Sequence, residues 1–274
     1  MKVILSKKGL DSGCSNWPIF LKNNTKEMPF IPIPEMNGMH TYGVLNEASC
    51  EKLYFHKSHN AILVDENVTC HLDPQLEDYF GYGKNFRATF GQSGRAQSHL
   101  NNCGVGVGDL FLFYGWYYNE NTKKDENIIF GYMQIGEILT FDNEVNVYLN
   151  GHKEDRVKIE NNHKYLKKQP HWVRLKNKSG IYNNDVIYIA QENCFGFFDY
   201  DKKLILTDKE SNCKTEWFIE GLKTITELRP MRRNVALKAG KGRLVKGYCQ
   251  ELVFDCEEYP EVLNWVNGLI NNKK

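Results

Sequence analysis

No two cysteines of this chain form a C-x-x-C pair; Cys249 and Cys256 are the nearest of the eight. That spacing argues against a zinc finger or ribbon built on paired thiolates. The N-terminus lacks the charged-then-apolar pattern of a secretory signal, since Met1 leads at once into a short β-like run and then Lys7 and Lys8. Reduced thiols and a cytoplasmic setting are the expectation. No apolar run reaches the length needed to span a bilayer, so no membrane partner is expected. Net charge is scarce as well. Lys and Arg number 35 against 34 Asp and Glu, a balance of +1, so no overall field draws the chain to nucleic acid. A phosphate loop is missing too: GVGVGD at 104–109 has the glycines, but a strand follows where that fingerprint needs a helix. It reads as a turn that uses positive φ. Repeats, low-complexity tracts and linkers are absent. The expectation is one α+β domain over 1–274, with a sub-lobe over 151–274 as the alternative division.

What is present is a large apolar and aromatic share, 41% and 13% of the 274 residues, which suits a substantial β-rich core and stacking pockets alike. The chain is organised around Phe90–Tyr118 and Ile128–Leu139. LFLFYGWY, from Leu110 to Tyr117, is apolar on both faces and predicts a strand buried on both sides. Asn119–Asn127 reads as a hairpin loop and Ile128–Leu139 as the returning strand, with Gly131 and Gly136 marking bulges or close backbone approach. Ahead of it, Ser93 can cap a short helix starting at Gly94. That helix crowds Gln92, Arg95, Gln97 and His99 together. It reads either as a solvated helix burying Ala96 and Leu100, or as a polar pocket wall that reads a ligand.

CHLDP, Cys70–Pro74, places His71 and Asp73 two apart, on one side of an extended segment. With His99 they make an H-x-D…H set that can hold Fe(II) or Zn(II) with open positions, or supply an acid–base pair. No jelly-roll strand pattern separates the members, which counts against the iron reading. The plain structural reading is a hydrogen-bonded join between two loops. Asp11, at the tip of the first strand, is a further acid–base candidate, or else a turn-stabilising Asp.

Elsewhere, strands are predicted at Lys2–Leu5, Ala61–Val64, Asp185–Gln191, Phe195–Tyr200, Leu204–Thr207 and Tyr248–Phe254. Pro18–Pro34 must be extended. Thr140–Lys168 mixes charges and reads as solvated helix or loop. Trp172, beside His171, is either a base-stacking surface or a core residue. Val262, Leu263, Val266, Leu269 and Ile270 draw the stripe of a C-terminal amphipathic helix. The strongest charge feature is Arg229, Arg232, Arg233, Lys238, Lys241, Arg243 and Lys246, without an acid between them. The rest of the chain is acidic by six, so this stretch reads as a local phosphate or nucleic-acid site, with a solvated loop as the alternative.

The pattern V-x-V-G-D-L-x-L-F-Y followed by I-x-G-x-x-x-I-G-E-I, at 105–114 and 129–138, resembles the core of PUA-like barrels, the group of the EVE, ASCH and YTH domains. A longer resemblance runs through VILSKKGLDSG, CHLDP, GQSGRAQSHL, VGVGDLFLFYGW, QPHWVRL and KLILTDKESNCKTEW. These pieces are similar to the nucleotide modification associated domain family, third type, which is linked to phage and bacterial DNA modification. The resemblance implies a PUA-like mixed β-barrel core with flanking helices and a nucleotide or nucleic acid as partner.

Two function classes follow. One is a module that reads a modified base or nucleotide, stacking it on Trp116, Tyr117 or Trp172 and reading its edge with Gln92, Arg95 or Gln97. The other is an enzyme on the same substrates, using Asp11, His71, Asp73 and His99 as acid, base or metal ligands. Convergence of the histidines and acids on one pocket would favour the enzyme, and dispersion the module.

Overall fold

The computed structural model describes residues 1–10, 17–48, 53–57, 60–142, 144–176, 184–225, 228–231, 243–245 and 251–271. In chain order the elements are β1 (Lys2–Lys7), β2 (Ile19–Leu21), β3 (Ile33–Pro34), β4 (His40–Thr41), α1 (Gly43–Ala48), β5 (Tyr54–Lys57), β6 (Asn60–Leu63), β7 (Thr69–His71), β8 (Thr89–Gln92) and α2 (Gly94–Asn102). They continue with β9 (Leu110–Asn119), β10 (Lys124–Phe141), β11 (Val147–Leu149), β12 (His152–Glu154), α3 (Arg156–Asn162), α4 (Pro170–Lys176), β13 (Val186–Phe197), β14 (Glu216–Phe218), β15 (Arg243–Val245), β16 (Glu251–Asp255) and α5 (Pro260–Ile270). The protein is thus α+β, mostly strand with a few short helices.

Strand β9 lies at the centre because its run is mostly apolar and aromatic on both faces: all but one of its residues are buried. β10 pairs with it antiparallel along one edge. On the other edge, β1 and then β2 pair parallel, with Ile4 opposite Phe111 and Phe20 opposite Tyr118. β16 adds antiparallel to β1, and β13 and β8 continue the sheet beyond β10. The run β16-β1-β9-β10-β13-β8 curls into a half-barrel. Gln92 Nε2 on β8 donates to Glu251 Oε1 on β16 at 2.7 Å, so a side chain joins the two ends of the curl. Inside, Phe90 meets Phe111 and Phe113 edge-on, with centroids 5.0 and 5.2 Å apart. Each such ring contributes roughly 1.5–3 kcal/mol on burial.

The GVGVGD turn works as expected, with Gly104 and Gly108 at φ +62° and +88°. Asp109 fixes it: its carboxylate accepts from Gly106 N at 2.9 Å and from Lys2 N at 2.6 Å, tying the start of β1 to the start of β9. β10 shifts register around Gly131 and again on either side of Ile135, which bends this long strand and lets one sheet curl.

Several expectations change. Ser93 stands at the start of α2 but makes no capping bond. Instead Asn184 accepts from Gly94 N at 2.8 Å and donates to Gly94 O at 2.7 Å, a partner 90 positions away. On α2 the buried side chains are Gln97, His99 and Leu100, with Ala96 half-buried. Residues 204–207 make isolated bridges to Ile128 and Trp217 instead of a strand. The charged stretch 140–168 is not simply a solvated helix or loop: β11 delivers Val147, α3 delivers Ile159, and the 3₁₀ turn Lys164–Lys168 delivers Tyr165 and Leu166 into a second core around Trp172. Its apolar residues are spread over several short elements, too thin for any one period to register. α5 starts at Pro260 and buries Val262, Trp265, Val266 and Leu269.

Candidate functional site

β7 is the middle strand of a small sheet, antiparallel to β3 and β4. His71 ends it, Leu72 turns into the core, and Asp73 follows. A backbone bond from Asp73 N to His71 O at 2.8 Å tightens the chain here, and both side chains reach the same place, His71 Nε2 lying 4.0 Å from Asp73 Oδ2. The third member comes from α4. Gln169 precedes this helix, and its Oε1 accepts from Trp172 N at 3.0 Å. This sets His171 in the first turn, with Nε2 at 3.7 Å from Asp73 Oδ2. The two imidazoles meet at 74°, centroids 5.3 Å apart. One ligating atom from each of His71, Asp73 and His171 lies within 4.8 Å of the others.

Every other edge of the trio is held by the protein. Asp73 Oδ1 accepts from Gly91 N at 2.9 Å and from Gln169 Nε2 at 3.2 Å. The amide of Gln169 therefore spans Asp73 and the first turn of α4, fixing both. His71 Nδ1 faces Glu35 Oε1 at 3.2 Å. His171 Nδ1 faces Asp185 Oδ1 at 3.3 Å, and Arg174 Nη2 closes the triangle at 2.8 Å from Nδ1 and 2.6 Å from Oδ1. Gly91 is required for this arrangement. A Cβ there would stand 2.2 Å from His171 Cδ2, so no other residue leaves room for the ring.

Burial sets the electrostatics. It pushes the Asp73 carboxyl above the usual range, and the neighbouring His171 and His71 and the Gly91 amide only partly offset this. Burial also pushes His171 below the ordinary histidine value, against the opposing pull of Asp185 and Asp73. Glu35 is held low, chiefly by its hydrogen bond to His71. His71 is the member that reaches open space. It lines a cleft of about 200 Å³ together with Glu35, Asn37, Met39, Pro170 and Arg174.

Of the residues singled out in the sequence, the structure brings His71 and Asp73 together. His99 remains on α2 with its ring nitrogens 3.8 Å from Cys103 Sγ, outside the trio. Gln92 is adjacent to Gly91, but its amide is directed to Glu251, which Lys8 Nζ also approaches at 3.2 Å. Gln97 is buried and bonded to Tyr188 OH at 2.9 Å and Asn101 Oδ1 at 2.7 Å. Arg95 is exposed on α2. Tyr117 is buried and donates to Pro29 O at 2.7 Å. Trp116 is covered by Lys214 Nζ at 3.0 Å from its ring centroid. Trp172 is fully buried beside Phe141 and donates to Glu160 at 2.9 Å.

Asp11, Arg232, Arg233, Lys238, Lys241 and Lys246 lie outside the described residues. Arg229 is exposed, with its backbone N 3.3 Å from Tyr259 OH. Arg243 opens β15 opposite Phe218. Sequence reasoning missed His171 as a partner of Asp73, and missed Glu35, Asp185 and Gly91 altogether. The available signal was QPHWVRL, a glutamine, a proline and a histidine entering a largely apolar run.

No curated protein and no solved structure matches the chain. Among the described residues, no helix is long and apolar enough to cross a membrane. The family model for nucleotide modification associated domain 3 matches residues 2–249, which takes in every described member of the site, and the chain belongs to that family.

Proposed function

We propose that this chain is an enzyme acting on a nucleotide, free or within nucleic acid, with His71, Asp73 and His171 as its reaction centre. The observation that carries the reading is the trio itself: two histidines from segments 100 positions apart face one buried carboxylate, each backed by a further carboxylate, beside an open cleft. Burying Asp73 between two imidazoles carries a desolvation cost, and proton transfer uses such groups with shifted affinities. Membership of a family associated with nucleotide modification supports a nucleotide as the substrate class. The curled sheet whose ends meet at Gln92 and Glu251 supports the PUA-like kinship, and the pairing of β1 with β16 supports one domain.

The alternative, a module that reads a modified base without changing it, loses its aromatic platform. Tyr117 and Trp172 are buried, and Trp116 is covered by a lysine. The test is incubation with plain and modified nucleotides and short oligonucleotides, followed by mass spectrometry of the products and by thermal shift. Conversion by the wild type that His171→Ala and His71→Ala abolish is the expected result. Thermal stabilisation by a ligand, unchanged in both variants and without product, would establish the binding module instead.

A further inference from the structure

We propose that His71 Nε2, His171 Nε2 and Asp73 Oδ2 together hold one divalent transition-metal cation. The proposal deepens the reading of these residues as a reaction centre and rests on it for the cation's role, though not for its binding. Three features carry it.

First, the donor atoms converge. Asp73 Oδ2 lies 4.0 Å from one Nε2 and 3.7 Å from the other. Donors around a tetrahedral cation bonded at about 2.1 Å stand about 3.4 Å apart, so these two edges close by about half an ångström each, and the edge between the histidines, which is within 4.8 Å, by up to about 1.4 Å.

Second, both histidines are backed at Nδ1 by a carboxylate, Glu35 for His71 and Asp185 for His171. A carboxylate at Nδ1 holds the proton there and leaves the Nε2 lone pair for a metal, the arrangement that orients ligating histidines. At His171, Arg174 Nη2 also stands 2.8 Å from Nδ1, and a guanidinium can only donate, so the metal-binding tautomer requires Arg174 to give its proton to Asp185 instead. The permanently charged guanidinium bonds Asp185 Oδ1 at 2.6 Å, and that charge-assisted pair is stronger than one to a neutral ring nitrogen. Asp185 accepts from both.

Third, Asp73 divides its oxygens. Oδ1 is taken by the Gly91 and Gln169 donors. Oδ2 faces the imidazoles, and among the described residues its hydrogen bond is the second, shared contact from Gly91 N at 3.1 Å. Two imidazole nitrogens and one carboxylate oxygen suit Zn²⁺, Fe²⁺ or Co²⁺ better than Mg²⁺ or Ca²⁺, which prefer oxygen alone. Three protein donors leave a coordination position open for water.

The test is calorimetric titration of chelator-stripped protein with Zn²⁺ and Co²⁺, with the visible spectrum of the Co²⁺ form as a second readout. One equivalent should bind. His71→Ala and His171→Ala should each weaken binding at least 100-fold, and Glu35→Gln about 10–100-fold, with melting curves confirming that each variant is folded. No binding, or binding undiminished in the His71→Ala/His171→Ala double variant, overturns the proposal. Nucleotide turnover indifferent to chelator would remove the cation and leave the reaction centre standing. A cation bound by these residues without turnover would do the reverse.

Discussion

The imidazole of His171 occupies the space above Gly91 that a side chain would claim, its Cδ2 only 2.2 Å from where a Cβ would stand. The same glycine donates its amide to Asp73 at 2.9 Å. One residue of β8 therefore positions two members of the trio, one by a hydrogen bond and one by having no side chain.

Gly91→Ala should displace His171 from Asp73. Overpacking of this kind costs about 1–3 kcal/mol, which a protein of this size tolerates. The expected outcome is a folded variant with a lowered melting temperature that has lost nucleotide conversion and cation binding. A variant with full function would show that His171 need not stand where the structure puts it.

Asp73→Asn should separate function from stability. Asparagine keeps an oxygen for the Gly91 and Gln169 donors and removes a buried charge whose desolvation is unfavourable. The melting temperature should hold or rise while conversion disappears. If denaturant titration instead shows a loss of several kcal/mol, Asp73 is a structural carboxylate.

Glu137 gives a pH prediction away from the site. A hydrogen bond from His163, with help from Arg87, pulls its carboxyl down from 4.5 to about 2. A depressed acid contributes stability that is present above its unfolded value and lost as pH falls, here between about 4.5 and 2. Glu137→Gln should cost roughly 1–3 kcal/mol at neutral pH and flatten the acid limb of the stability curve. An unchanged acid limb in urea denaturation would refute the assignment.

Gln97 and Tyr188 bond each other across the interior, OH to Oε1 at 3.1 Å and Nε2 to OH at 2.9 Å. Gln97→Ala should therefore lower stability by about 1–3 kcal/mol by stranding the tyrosine hydroxyl, and a double-mutant cycle with Tyr188→Phe should show strong coupling. A loss of nucleotide conversion with stability intact would return α2 to the wall of a ligand pocket.

Periodicity and composition placed much of the frame. Eight residues apolar on both sides, Leu110–Tyr117, read as a buried strand, and the glycines followed by Asp109 as a turn entering it. Two of the trio were legible as well, because His71 and Asp73 are two apart and local geometry puts them together. The rest rests on distance in sequence. His99 and His171 are equally histidines in polar–apolar stretches, and nothing local tells which one reaches Asp73. The curl of the sheet decides it: β13 and β8 bring α4 over Gly91, while α2 turns His99 toward Cys103. The aromatic residues teach the same lesson. Trp116, Tyr117 and Trp172 were equal candidates for stacking because side-chain chemistry is local, whereas burial belongs to the whole fold, and tertiary packing took all three out of reach.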